Sequence, residues 1–228
     1  MHLLEYYLPR PDFNLTLEKK QAFDELFHST PEADLVDYQL PFPKWQYLTY
    51  LCETRDLVLH GSQVKGIDLV EPRLAQDVKA FSNQRAIYAT TDGIWVIYFA
   101  IVDRLKFSPL SLFNSCFRAG VYPDQLSDPF YFFSISYPAL IKEPWCEGVV
   151  YILPRQTFEQ EPRQTIMGFD VVFPHWISGH PARPIAVLAV TPEDFPFLQQ
   201  VHGHDDEKLA QLARENPDDF PWPEALKK

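Results

Sequence analysis

No apolar run in the chain is longer than nine residues, Ile94 to Val102, against the roughly 20 that a helix needs to cross a bilayer, so no membrane span is expected. The opening "MHLLEYYLPRP" has no basic segment ahead of an apolar one; it does not read as a secretory signal, and a cytoplasmic protein is expected. Basic residues are scarce: 20 Lys and Arg stand against 31 Asp and Glu, a formal charge of −11. A phosphate backbone would be repelled over most of such a surface, which argues against nucleic acid as a partner. Three cysteines, Cys52, Cys116 and Cys146, lie far apart with no CxxC and no His pair at ligand spacing, so reduced buried thiols are expected rather than a disulfide or a zinc site. There is no GxSxG, GxxxxGK[ST], HExxH, or GxGxxG after a strand, which removes the commonest nucleophile, phosphate-cradling and zinc-protease motifs. Gly61 and Gly66 have the P-loop separation, but Ile67 stands where the lysine would be.

Core-forming material is ample. With 46 % apolar and 15 % aromatic residues, the 228-residue chain can close a well-buried core, and one compact unit is expected. The 21 prolines cut it into short elements. "LTLEKKQAFDELFHS" places Leu15, Ala22, Phe23, Leu26 and Phe27 on one helical face, with Asn14 or Thr16 as cap. "PKWQYLTYLCET" repeats Trp45, Leu48, Leu51 and Cys52 at three and four, and Pro43 suits a first turn. "DLVLH" and "RAIYAT" read as strands, joined by a polar connection that holds Pro72 and Asn83. Thr91 and Asp92 can cap "GIWVIYFAIVDR", which is apolar on nearly every side and should be a buried helix. Strands are then expected at "FSPLSLFNSCF", "PFYFFSISY", "EGVVYILP", "IMGFDVVF" and "RPIAVLAV", and a last amphipathic helix at "DDEKLAQLARE", ending before "NPDDFPWP". About six or seven strands, with helices early and late, indicate an α+β fold. Its parts would be a helical region over 1–55, a core over 56–190 and a C-terminal helical extension over 191–228, packed as one unit.

Two polar clusters invite a chemical reading. "HGHDD", His202 to Asp206, packs metal-ligand types into five residues, but capping accounts for Asp205 and Asp206 and exposure for His202 and His204, so no metal site is expected. "PHWISGHP" places His175, Trp176 and Ser178 at the close of a strand, where Trp176 as core and His175 as a turn residue is the plain alternative.

The run "LHGS" (Leu59–Ser62) and then "IYAT" (Ile87–Thr90), followed at once by an apolar helix containing "YFA", resembles the nicotinamide-binding half of the ADP-ribosyltransferase family, in the branch that includes poly(ADP-ribose) polymerases. The resemblance covers Asp56 to Arg104 best and Glu147 to Val190 loosely. It implies a split, mixed or antiparallel sheet core and NAD as substrate. His60 and Gly61 would grip the nicotinamide ribose and carboxamide, Tyr88 would stack on the ring, Tyr98 would face it, and Ser62 and Thr91 would supply neighbouring hydroxyls. The chemistry of these side chains agrees: a glycine lets an amide approach the backbone, an imidazole offers a donor and an acceptor, and each tyrosine stack contributes about 1 kcal/mol.

The resemblance also implies a glutamate that stabilises the oxocarbenium ion when nicotinamide leaves. Glu147, at the start of "EGVVYILP", could point inward, whereas the later position near "HWIS" holds His175, which carries no fixed negative charge. The expected function is therefore an NAD-binding protein that transfers ADP-ribose to a protein or small molecule, or hydrolyses NAD. The alternative is a non-catalytic interaction module on the same fold. RNA 2′-phosphotransferase chemistry, on a related fold, needs basic residues that the region around His60 does not offer.

Overall fold

In the computed structural model, which describes residues 5–74, 84–166, 168–216 and 220–227, the elements run in the order β1 (Leu8–Pro9), α1 (Leu17–Ser29), α2 (Lys44–Thr54), β2 (Leu57–Ser62), β3 (Arg73–Leu74), β4 (Arg85–Thr90), α3 (Gly93–Ile101), β5 (Leu112–Val121), β6 (Gln125–Leu126), β7 (Phe130–Ser136), α4 (Tyr137–Leu140), β8 (Gly148–Pro154), β9 (Glu159–Gln160), β10 (Gln164–Ile166), β11 (Phe169–Val172), β12 (His175–Ser178), β13 (Ala186–Val190), β14 (His202–His204), α5 (Asp206–Glu215) and β15 (Leu226–Lys227). Short 3-10 turns cover Pro192–Asp194, Leu198–Gln200 and Pro223–Ala225. The α+β class holds.

The strands form two sheets. The first has the order β13-β8-β2-β4-β12-β9, with β3 added on β4, and all its pairings are antiparallel. The second runs β10-β11-β5-β7-β14-β15, with β6 on β5 and β1 on β7; among the described residues its one parallel pair is β7 with β14. Asn83 in the β2–β4 connection, and Pro217 to Asp219 of "NPDDFPWP", lie outside the described residues.

Helix α3 lies between the two sheets. Asp92 caps it, accepting from the amides of Ile94 and Trp95 at 3.0 and 2.8 Å, as its position before the apolar run predicts. The helix packs directly on the first sheet because two strand positions there have no side chain. A Cβ on Gly61 would stand 2.6 Å from the Val96 carbonyl oxygen, and one on Gly148 would stand 2.1 Å from that of Ala100. Its other flank meets the second sheet through Tyr98 and Phe133. One core cluster joins Phe23, Trp45 and Leu51 from the first helices, Leu59, Ile97 and Val150 from the centre, and Phe195, Phe197 and Val201 from the C-terminal part.

Three local expectations change. "IMGFDVVF" is not one strand: Gly168 has φ +83°, the left-handed conformation a tight turn needs, and the segment folds back as the hairpin β10–β11. "FSPLSLFNSCF" begins its pairing only at Leu112 and continues to Val121. In "HGHDD", Asp205 does cap α5, accepting from the Lys208 amide at 3.1 Å. His204, however, is fully buried, because β14 inserts beside β7 in the second sheet, and His202 stacks on Phe132.

Candidate functional site

The ends of β2 and β4 do converge, with Leu59 opposite Thr90. What joins them is a side chain and a backbone group: His60 Nδ1 lies 2.8 Å from the Tyr88 carbonyl oxygen. A carbonyl only accepts, so Nδ1 carries the proton and Nε2 holds the lone pair. Burial pushes the His60 pKa down, partly offset by this bond, which keeps the ring neutral.

Strand alternation then separates the two side chains. Leu59 faces α3 in the main core, while Val58 faces a second small core with Ile87, Ala89 and Tyr151. His60 therefore points with Val58, beside Tyr151 at 6.4 Å between ring centroids, and Tyr88 points to the α3 side. Gly61 faces α3, so its missing side chain makes room for the helix rather than for a ligand amide. Ser62 Oγ accepts from the Val64 amide at 3.0 Å, and the Thr91 amide donates to Pro174 at 3.0 Å.

Two further expectations are corrected by packing. Tyr98 does not face Tyr88 across an opening. It is fully buried, its ring lies 4.7 Å from that of Phe133, and its hydroxyl donates to the Ser134 carbonyl at 3.1 Å. Glu147 points outward; its side chain is 72 % exposed and pairs with Lys65 at 3.3 Å. It lies at the rim beside β2 and does not supply an inward acid.

What gathers instead on the α3 side of the first sheet is a group around His175. Tyr88 stacks on the His175 ring at 5.9 Å and 26°. Trp95, from the first turn of α3, meets the same imidazole edge-on at 5.8 Å. His175 Nδ1 lies 3.0 Å from Glu161 Oε2, and the Glu161 side chain is only 5 % exposed. The backbones reinforce this pairing, since the Glu161 amide donates to the His175 carbonyl at 2.8 Å. Trp95 Nε1 donates to Asn114 Oδ1 on β5 at 2.6 Å, which ties the group to the second sheet. The Tyr88 hydroxyl donates to the Gln84 carbonyl and accepts from its amide at 3.1 Å.

The residue that sequence reasoning missed is Glu161. In "EQEPRQ" it reads as a loop acid, and what brings it inward is the two-residue pairing of β9 with β12, Trp176 opposite Gln160. Such a short non-local pairing leaves no periodic signal. The result is a buried carboxylate held by an imidazole, beside two aromatic rings. The pairing places His175 Nδ1 against the Glu161 carboxyl group.

No family model, curated protein or solved structure matches the chain.

Proposed function

We propose that the chain binds NAD on the α3 side of β4 and β12 and breaks its nicotinamide–ribose bond, passing ADP-ribose to a protein, a small molecule or water. The observation that carries the reading is the Glu161 carboxylate, buried and hydrogen-bonded to His175 beside Tyr88. Loss of neutral nicotinamide leaves positive charge on the ribose, and a carboxylate in a water-poor setting stabilises that charge. Glu161 supplies the acid that position 175 lacks. His175 orients it through the bond from Nδ1. Tyr88, which is partly exposed, offers aromatic surface for the pyridine ring.

Calorimetric titration with NAD tests the binding half. Saturable heat is expected from the wild type, weakened about tenfold or more in Tyr88→Ala and unchanged in Tyr98→Phe. Equal heats from the wild type and Tyr88→Ala would remove the reading.

A second reading, a non-catalytic interaction module, is favoured by a separate observation. At one end of the second sheet Val121, Tyr122, Ile166 and Phe169 are 60, 49, 47 and 57 % exposed, an apolar group of the kind that marks contact surfaces. Incubation with NAD labelled in the adenosine part separates the two, because label transfer or nicotinamide release excludes a purely passive role.

A further inference from the structure

The apolar group at the tip of the second sheet has an order that exposure alone does not show. In the β10–β11 hairpin Ile166 stands opposite Phe169. One step beyond the Asp170–Gly120 pair of β11 and β5, Phe169 stands beside Val121. Directly opposed residues share a face, so Ile166, Phe169 and Val121 form one row across three strands, about 5 Å from strand to strand. Tyr122 does not extend the row: the Arg163 guanidinium covers its ring at 4.6 Å, and Arg163 also pairs with Asp170 at 3.4 Å. The row carries an inner sheet face past the end of the body. Val171, two residues along β11 and on the same face, is 7 % exposed, whereas Phe169 is 57 % exposed. Apolar side chains left in water on a strand surface mark a place that a partner covers.

The charges around the row select that partner. The chain carries a formal −11, so two copies repel each other over most of their surfaces. Residues 118–126 and 162–171, which make up this tip, hold Arg118 and Arg163 against Asp124 and Asp170. The tip is a neutral approach on an acidic protein, open to a second acidic copy, whereas a basic partner is drawn to the acidic remainder. The row is also its own complement. Turned about a two-fold axis that runs along β11 over Phe169, it sets the two Phe169 rings against each other. Each Ile166 then meets Val121 of the second copy, one β-branched side chain against another at both ends.

We propose that this chain pairs with a second copy of itself through the Val121, Phe169 and Ile166 row, the two sheet tips stacking face to face about a two-fold axis. Stacked sheets lie about 10 Å apart, a gap that side chains of this size fill from both sides. Three side chains per copy make a contact smaller than the roughly 800 Å² per partner of a stable complex, so the association is weak and reversible. The pairing supplies a partner for the second reading above and rests on the same exposed group; it uses no residue of the Tyr88–His175 site.

Sedimentation of the full chain without NAD tests the pairing, so its failure and that of the NAD reading are told apart. The weight-average mass is expected to climb from that of a monomer towards that of a dimer between about 1 and 500 µM chain, the range of a weak complex. In Phe169→Asp two carboxylates would face each other across the axis, and association should fall at least tenfold. Ile166→Lys and Val121→Glu, each alone, should weaken it likewise. An equimolar mixture of these two variants should recover it, because the new cation of one chain meets the new anion of the other while the unchanged Val121 and Ile166 meet at the opposite end. All three positions are exposed, so the substitutions leave the fold intact. A wild type still monomeric at about 500 µM would assign the row to a different partner and overturn the proposal. Undiminished association in Phe169→Asp, or a mixture that associates no better than its components, would overturn it as well.

Discussion

The buried polar groups make opposite demands on pH. His60 and His204 have pKa values pushed below the usual 6.5 by burial. Between that value and their folded values the unfolded chain binds more protons, so stability rises with pH across the window and is level above it. Acidification from about pH 7.5 to 5.5 should lower the melting temperature, and a melting temperature that rises on acidification would contradict the burial of these rings. Asp92 behaves in reverse: burial pushes its carboxyl pKa up, against bonds from the Trp95 amide and the Tyr131 hydroxyl. Its folded form therefore binds protons more readily than the unfolded chain just above pH 3.8, and stability there falls as pH rises. Asp92→Asn keeps a capping oxygen and sheds the buried charge, so it should change stability by less than about 1 kcal/mol. Asp92→Ala removes the cap and strands the Tyr131 hydroxyl, which lies 2.7 Å from Oδ2; a loss of about 1–3 kcal/mol is expected in denaturant titration. Tyr98→Phe forfeits one buried hydrogen bond and should cost about 1 kcal/mol.

At the level of elements, the seat of α3 on bare backbone is the feature most open to test. Gly61→Ala or Gly148→Ala drives a methyl into a helix carbonyl, and overpacking of this kind costs about 1–3 kcal/mol, readable as a drop of several degrees in melting temperature. Much of this level was legible beforehand. The cap at Asp92, the apolar character of α3, the starts of α1 and α5 and the meeting of β2 with β4 follow from local residue order, since each depends on neighbours within a few positions. The face of each side chain at that meeting was not legible. His60 and Tyr88 diverge because Leu59, not His60, stands opposite Thr90, and a register one residue away would have reversed them. Glu161 was hidden for a related reason: its burial depends on a two-residue strand pairing with β12. Tyr98 sits on an all-apolar helix, where periodicity cannot say which sheet a given ring meets.

For the molecule as a whole, the core cluster takes residues from 1–55, 56–190 and 191–228 alike, so the helical ends are built into the same interior as the central sheets. Thermal unfolding should be one transition, with calorimetric and van't Hoff enthalpies equal; two separated transitions would contradict the shared core. That interior also fixes the proposed NAD site, because Tyr88, His175 and Glu161 come from the first sheet and its adjoining loop, Trp95 from the helix between the sheets and Asn114 from the second sheet. The most direct measurement is nicotinamide release from NAD by the wild type, Glu161→Gln and Glu147→Gln. Release that falls at least a hundredfold in Glu161→Gln and persists in Glu147→Gln is the predicted result. No release from the wild type, or equal release from Glu161→Gln, would contradict the placement of the acid at Glu161.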